Sequence, residues 1–304
     1  MTGRIVSSAR GFSRRTLIAA GLGAGLAAGF ARAGISAQNA SDLAAPTGAA
    51  SWPKLNLNSA AAEALAAVPA AGERMTREFL EYRPYASIGQ FRGELSKYIS
   101  PEDTAAFESY LFVPVDPNQA DTDTLQQLPG VNVDAAQQLI AGRPFADADT
   151  FVAALAGLAS QELADAARTF LAPDAGEIAT WLRYDLNTAS ETQLIATPGA
   201  GKRMTREFLE YRPYASVGQF RGEMGKYIDP EDVAALERYL FVPVDPNQAD
   251  ADTLLQLPGL TADGAQALIA ARPFADAAAF LTALGQQAAP IWVEASKSYL
   301  AAAS

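Results

Sequence analysis

The sequence predicts an all-α protein built from four helical units of about 60 residues each. The chain is duplicated with a shift of 129, so that residues 113–121 are identical to residues 242–250. A weaker repeat with a shift of 60 lies inside each copy. Apolar residues recur at helical spacings of three and four, and no strand-like alternation of useful length appears.

The duplication retains surface and core positions alike. Residues 74–103 and residues 203–232 differ only at the pairs Ile88/Val217, Leu95/Met224, Ser96/Gly225 and Ser100/Asp229. The inner repeat retains an Asn, a Pro and an Arg-Pro pair in each unit. These are Asn58, Pro69 and Arg83-Pro84, then Asn118, Pro129 and Arg143-Pro144, then Asn187, Pro198 and Arg212-Pro213, then Asn247, Pro258 and Arg272-Pro273.

The third unit shows the expected order of four short helices. A first helix follows Asn187, and a proline-led turn ends it. Met204, Phe208 and Tyr211 then mark an amphipathic second helix, which stops before Pro213 because the residue before proline disfavours helix. Residues 219–227 supply a third helix, and residues 229–232 begin a fourth with an acidic, proline-containing first turn.

These patterns set the expected boundaries. Residues 1–37 are predicted to be an export signal and residues 38–53 a flexible tether. Unit A1 covers 54–112 and unit B1 covers 113–172, and a linker at 173–182 precedes unit A2 at 183–241 and unit B2 at 242–304.

The first 37 residues have the composition of a twin-arginine export signal. They carry five arginines and no acid, and a weakly apolar run of residues 17–30 follows Arg14 and Arg15. Small residues suit cleavage after Ala33 or Ala37. A retained anchor is the alternative, although the run is shorter than the roughly 20 residues that span a bilayer. We therefore expect a periplasmic or otherwise exported chain with no integral membrane span.

Composition argues against an enzyme. The chain has no cysteine and no histidine, which removes thiolate sites, histidine-based acid/base pairs and the common transition-metal ligands. We expect no catalytic residue, no metal and no cofactor. Removal of the signal takes away five arginines, so the net charge of −11 becomes −16 for the mature chain, which repels nucleic acid at long range.

One hairpin has the residues that an anion site needs. Gly199 and Gly201 allow a tight turn with bare amides at the start of a helix, and Lys202, Arg203 and Arg206 add positive charge beside it. A phosphate could bind there. The alternative is that the glycines only permit a close helix crossing.

The pattern resembles the helix-hairpin-helix domain of the ComEA type. The residues that carry the resemblance are Asn-x-Ala, the Leu-x-x-x-Pro-Gly-Ala-Gly hairpin and a helix that ends in Tyr-Arg-Pro-Tyr. The family includes exported DNA receptors of bacterial competence as well as protein-binding members, and an extrinsic photosystem subunit has a similar fold. The resemblance covers all four units and implies a fold rather than one function.

In DNA-binding relatives the hairpin glycine amides and a nearby basic residue hold a backbone phosphate. Unit A2 matches this pattern. Unit A1 has Gly72, Arg74 and Arg77, but Ala70 replaces the first glycine and Glu73 replaces the lysine. The B units offer no cation at the turn. The resemblance therefore implies, as one hypothesis, weak DNA binding through unit A2 with help from unit A1.

The other hypothesis is a periplasmic scaffold or accessory subunit that presents the duplicated A-unit surface to a protein partner. A twin-arginine signal exports folded proteins, so a redox complex is one setting for such a subunit. The predicted interaction residues are Arg77, Glu81, Tyr85, Arg92 and Lys97 in unit A1, and Arg206, Glu210, Tyr214, Arg221 and Lys226 in unit A2. Core packing alone would not preserve most of them. Recent duplication is the competing explanation.

Overall fold

The computed structural model describes residues 45–301. The predicted export signal, its two cleavage positions and residues 38–44 of the predicted tether lie outside the described residues. Residues 45–301 belong to one compact unit.

Each unit contains four α-helices. The first copy has α1 (Ala62–Ala66), α2 (Gly72–Glu81), α3 (Ile88–Leu95) and α4 (Pro101–Glu108) in unit A1, and α5 (Thr122–Leu125), α6 (Val133–Ala141), α7 (Ala148–Leu158) and α8 (Gln161–Ala167) in unit B1. The second copy has α9 (Glu191–Ile195), α10 (Gly201–Glu210), α11 (Val217–Met224) and α12 (Pro230–Glu237) in unit A2, and α13 (Ala251–Leu254), α14 (Ala262–Ala270), α15 (Ala277–Leu284) and α16 (Pro290–Ser296) in unit B2. A short 3-10 turn closes each copy, at Arg168–Phe170 and at Lys297–Tyr299.

The prediction of an all-α fold is wrong, because a four-stranded mixed sheet joins the units and makes the protein α/β. The strands are β1 (Ala49–Asn56), β2 (Leu111–Phe112), β3 (Ile178–Asp185) and β4 (Leu240–Phe241), in the spatial order β2-β1-β3-β4. The outer pairs are parallel and the central pair is antiparallel.

Burial explains why apolar and polar residues do not alternate along the sequences of the strands. Six of the eight residues of β1 and six of the eight residues of β3 are buried, so neither strand has a face that is exposed along its length. The buried positions include polar and charged residues as well as apolar ones, namely Ser51, Lys54, Asn56, Thr180 and Arg183, so neither strand shows an alternation or a continuous apolar run. Residues 49–53 of the predicted tether and 178–182 of the predicted linker accordingly lie in the sheet.

A pseudo-twofold axis passes through the centre of the sheet. In the antiparallel register of β1 and β3, Trp52 pairs with Trp181, its own equivalent under the shift of 129. The parallel pairs repeat on either side, with Leu55 beside Leu111 and Tyr184 beside Leu240. The two copies therefore meet as the subunits of a symmetric dimer do, through the same surface of each.

Four hydrophobic cores form, and each A unit takes a residue from the opposite copy. Trp292 of α16 is fully buried in the core of unit A1, and its Nε1 donates a hydrogen bond to the carbonyl oxygen of Ala67 at 3.4 Å. The equivalent residue, Leu163 of α8, is buried in the core of unit A2. Unit B1 thus packs on A2 and unit B2 packs on A1.

The Asn and Arg-Pro residues that recur in every unit form one structural device, the Asn–Arg clamp. In unit A1, Asn58 Nδ2 donates to the carbonyl oxygen of Tyr85 at 2.9 Å, and the Tyr85 amide donates back to Asn58 Oδ1 at 2.8 Å. The Arg83 guanidinium donates to the carbonyl oxygens of Leu57 and Ala60. Asn118, Asn187 and Asn247 with Arg143, Arg212 and Arg272 make the same contacts. The clamp ties the end of each second helix to the start of the first.

Candidate functional site

Both A-unit hairpins follow the same left-handed backbone path. In unit A2, Gly199 has φ +86° and Gly201 has φ +57°. In unit A1, Ala70 and Gly72 take the same places with φ 65° and φ +56°. A Cβ at Gly201 or Gly72 would meet no atom within 4 Å, and no side chain caps the helix that begins there. These first-turn amides are therefore open to solvent.

Unit A2 is the better of the two hairpins for an anion. Lys202, Arg203 and Arg206 are all exposed, and Arg203 lies over the ring of Tyr227 at 5.9 Å. In unit A1 the exposed residue in the place of Lys202 is Glu73, whose charge opposes an anion. The structure thus brings glycines and three cations together at one hairpin of the four.

The B-unit hairpins fit the alternative reading, in which glycine permits a close helix crossing. Gly130 and Gly259 have φ +81° and φ +74° and are buried. A Cβ at Gly259 would lie 2.3 Å from Cδ1 of Trp292, and one at Gly130 would lie 2.7 Å from Cβ of Ala159. A side chain fills the space above each turn, so these hairpins cannot receive a phosphate.

A pair of tyrosines between two cations marks the surface of each A unit. In unit A1 the hydroxyls of Tyr82 and Tyr98 are 2.9 Å apart, Arg74 lies over the ring of Tyr98 at 5.6 Å, and Lys97 lies over the ring of Tyr82 at 5.1 Å. Unit A2 repeats the arrangement with Tyr211, Tyr227, Arg203 and Lys226. Tyrosine and arginine are the residue types enriched in protein interfaces.

Next to the tyrosines runs an exposed charged stripe on the second helix. Arg74, Arg77 and Glu81 share one face of α2 because they lie three and four residues apart. Arg77 and Glu81 make no side-chain hydrogen bond or ion pair within residues 45–301, and their equivalents Arg206 and Glu210 make none either. We call the set Arg74, Arg77, Glu81, Tyr82, Lys97 and Tyr98, and its equivalent Arg203, Arg206, Glu210, Tyr211, Lys226 and Tyr227, the A-faces.

Two of the predicted interaction residues are core residues instead. Tyr85 and Tyr214 are each 2% exposed and contact Phe91 and Phe220 edge-on, with ring centroids 5.6 and 5.8 Å apart. Burial raises the pKa of both phenols. The Asn–Arg clamp draws the residue that follows each Arg-Pro pair inward, so these tyrosines cannot contact a partner.

Arg92 and Arg221 are exposed, but each already forms salt bridges with two carboxylates. Arg92 donates to both carboxylate oxygens of Glu108, at 2.7 and 2.9 Å, and to Asp123 Oδ2 at 2.8 Å. Arg221 holds Glu237 and Asp252 in the same way. The hydrogen bonds to the carboxylates raise the pKa of both guanidiniums. Because Asp123 and Asp252 lie in the B units, these arginines join A to B within each copy.

A cleft on the pseudo-twofold axis was not foreseen from the sequence. It has a volume of about 620 Å³ and crosses the central strands between the ends of α4 and α12. Trp52, Lys54, Trp181 and Arg183 form its floor, and Arg92, Glu108, Asp123, Glu237 and Arg238 stand at its sides. The signal available in the sequence was the pair Trp-x-Lys and Trp-x-Arg at equivalent positions, which in strands puts both residues on one face.

The two basic residues of the cleft floor are buried and related by the pseudo-twofold axis. Lys54 is 5% exposed, donates from Nζ to the carbonyl oxygen of Glu108 at 2.6 Å and lies over the ring of Trp181 at 4.9 Å. Arg183 is 7% exposed, donates to the carbonyl oxygen of Glu237 at 2.7 Å and lies over the ring of Trp52 at 5.4 Å. Each cation thus caps the C-terminal end of a helix, where the dipole is negative.

Comparison with protein-family models, with curated proteins and with solved structures found no match to this chain. Among residues 45–301 no group of three or more acidic side chains is arranged to hold a metal ion. None of the helices described there has the length and apolar character needed to cross a bilayer.

Proposed function

We propose that this protein is an exported, non-enzymatic scaffold or accessory subunit that binds a protein partner through its two A-faces. The observation that carries the proposal is the retention of exposed, unpaired charges in both copies. Arg77/Arg206 and Glu81/Glu210 are exposed and make no side-chain hydrogen bond or ion pair within residues 45–301, yet both pairs are identical.

The core beneath the A-faces has changed more readily than their charges. Of the four differences between residues 74–103 and 203–232, Ile88/Val217 and Leu95/Met224 are fully buried pairs. Every charged residue of that stretch in unit A1 is retained in unit A2. Exposed positions usually tolerate substitution better than buried ones. A function of the exposed charges accounts for the reversal.

Unit B argues against recent duplication as the whole explanation. Helix α7 was duplicated together with the A units, yet seven of its eleven residues differ from α15 and the segment after it. The differing pairs are Asp149/Ala278, Thr150/Ala279, Val152/Leu281, Ala153/Thr282, Ala156/Gly285, Gly157/Gln286 and Leu158/Gln287. There was time for divergence, and the A-faces did not diverge.

The setting that fits the sequence is the periplasm, and a cofactor-bearing redox complex is one assembly that such a subunit could join. The support is the order Arg14-Arg15 ahead of a weakly apolar run. N-terminal sequencing of the protein recovered from a periplasmic fraction checks this part, with a first residue just after Ala33 or Ala37 expected. A chain that retains the first 37 residues would contradict cleavage.

The experiment for the main proposal is an affinity pulldown of the tagged mature protein from periplasmic extract. The wild type is compared with the double variant Arg77→Glu/Arg206→Glu and with the matched control Arg168→Glu/Lys297→Glu, which changes equivalent exposed cations of the B units. We expect one stoichiometric protein with the wild type and the control, and its loss with the A-face variant. Recovery of no such protein, or of one equally well by all three, would contradict the proposal.

A second candidate function is sequence-independent DNA binding through the A2 hairpin. The observation that favours it is the open, uncapped start of α10 beside Lys202, Arg203 and Arg206. The hairpin is, however, where the copies differ most in charge, because Glu73 stands opposite Lys202. What the duplication has retained is therefore the A-face and not the phosphate site.

A gel shift at low salt distinguishes this candidate from the first. DNA binding predicts a shift that weakens steeply with added salt, because phosphate neutralisation releases counterions. The shift should be lost with Lys202→Glu/Arg203→Glu and kept with Arg168→Glu/Lys297→Glu. Absence of a shift for the wild type ends this candidate and leaves the protein-binding proposal intact.

A further inference from the structure

We propose that the central cleft binds a small oxyanion that carries two negative charges, held by Lys54, Arg183 and Arg238 beside the indoles of Trp52 and Trp181. This inference does not depend on the A-faces, since none of their residues lines the cleft.

The first argument is the charge left over once the ion pairs are assigned. Three carboxylates line the cleft, and each is already held by an arginine: Glu108 and Asp123 by Arg92, and Glu237 by Arg221. Lys54, Arg183 and Arg238 form no ion pair in the described part of the chain. The cleft is lined by four basic side chains, those of Lys54, Arg92, Arg183 and Arg238, and by three carboxylates, so its lining sums to +1 in a protein of net charge −11, which is a local positive potential.

The second argument is that capping the helices uses only some of the hydrogen-bond donors of Lys54 and Arg183. Lys54 has three donor hydrogens and makes one hydrogen bond, to Glu108. Arg183 donates from its two terminal nitrogens to the carbonyl oxygens of Glu237, Leu240 and Gln256. Its buried Nε has no hydrogen-bond partner among the described residues, and its guanidinium also lies over the ring of the buried Tyr299 at 5.6 Å. An unsatisfied buried donor is costly, and burial of a cation costs more, unless a counter-charge is near.

The third argument concerns Arg238, whose side chain, unlike those of Lys54 and Arg183, donates no hydrogen bond to the end of any helix that the structure describes. Its side chain is exposed and makes no hydrogen bond or ion pair among residues 45–301. It lies over the ring of Trp181 at 5.4 Å, with Lys54 over the same ring. Two cations against one indole repel each other, and an oxyanion between them would remove that repulsion.

The ionisation of Lys54 supports this reading. Burial, and to a smaller extent Arg238, lower the pKa of Lys54 to about 7, and Glu108 opposes the shift. The charged groups that face this amine are therefore Glu108 at the end of α4 and Arg238 after α12. An anion stabilises the protonated amine, so binding at higher pH must take up a proton. Affinity should fall as pH rises through about 7.

The two-charge ligand follows from the geometry of the floor. The pseudo-twofold axis places Lys54 and Arg183 symmetrically about the Trp52–Trp181 pair, and each reaches over the indole of the opposite strand. A ligand on the axis meets a cation from each copy. A phosphate group and a short dicarboxylate both have that charge, and both fit within about 620 Å³.

The test is titration of the full chain with inorganic phosphate and, separately, with succinate, at constant ionic strength. Tryptophan fluorescence and calorimetry report binding, because Trp52 and Trp181 line the cleft while Trp292 is buried elsewhere. Lys54→Met and Arg238→Gln are compared with the matched control Lys297→Met. Arg238 is exposed, so its variant keeps the test valid if Lys54→Met does not fold.

We expect saturable binding of at least one of the two anions, weakened about tenfold or more in both cleft variants and unchanged in the control. Binding of phosphate alone would assign a phosphate ligand, and binding of succinate alone a dicarboxylate. With succinate, which stays a dianion throughout, the affinity should fall across pH 7 in the wild type and not in Lys54→Met. Absence of saturable binding, or binding that both variants leave unchanged, would overturn the proposal.

Discussion

Gly199 and Gly259 occupy the same place in two related hairpins but are required for different reasons. Both have positive φ, +86° and +74°. A Cβ at Gly199 would come no closer than 3.9 Å to Leu236, whereas one at Gly259 would overlap the indole of Trp292. In unit A1 the position is Ala70, with φ 65°, so the turn itself tolerates a side chain. Sequence alone could not separate the two roles, because the residue that fills the B2 hairpin is 33 positions away.

Alanine at the two positions should therefore have unequal effects on stability. Gly199→Ala should lower the free energy of unfolding by about 1 kcal/mol, the usual cost of a left-handed residue with a Cβ. Gly259→Ala should cost that amount and a further ~1–3 kcal/mol, because Trp292 must move. Urea unfolding of the two variants measures the difference. Equal losses would show that Trp292 does not press on the hairpin.

At the scale of elements, helices were predictable from the sequence and strands were not. Prolines, caps and apolar spacing are local signals, and they gave four helices per unit. β1 and β3 are buried along most of their length and carry buried polar residues, and β2 and β4 have two residues each, so none shows a local alternation. Their pairing joins residues far apart in the chain, such as Trp52 and Trp181. The fold class was therefore predicted wrongly, because it depends on the pairing of strands that lie far apart in the chain.

The Asn–Arg clamp gives a prediction at this scale. Asn58→Ala removes two hydrogen bonds between the start of the first helix and the end of the second, and leaves a buried carbonyl and amide of Tyr85 without partners. We expect a loss of about 1–3 kcal/mol in the free energy of unfolding. Ser59→Ala, at an exposed neighbour whose side chain makes no hydrogen bond within the described residues, is the control. Similar small losses in both variants would contradict the clamp.

At the scale of the whole molecule, the two copies form a pseudo-dimer in which each B unit packs on the opposite A unit. This arrangement presents two equivalent A-faces from one chain. The exposed charges of the A-faces were predictable from the sequence, because the two copies share identical charged residues that core packing does not require. The cleft was not, because Lys54, Glu108, Arg183 and Arg238 come together only through the sheet. Tyr85 and Tyr214 were misassigned for a related reason, since only the clamp turns them inward.

The central claim is that the two A-faces are equivalent binding surfaces for a protein partner. The most direct measurement is quantitative recovery of that partner by four forms of the chain: wild type, Arg77→Glu, Arg206→Glu and the double variant. We predict that each single variant weakens recovery to a similar extent, because each leaves one intact surface, and that the double variant abolishes it. Full recovery by the double variant, or complete loss with one single variant and none with the other, would contradict the claim.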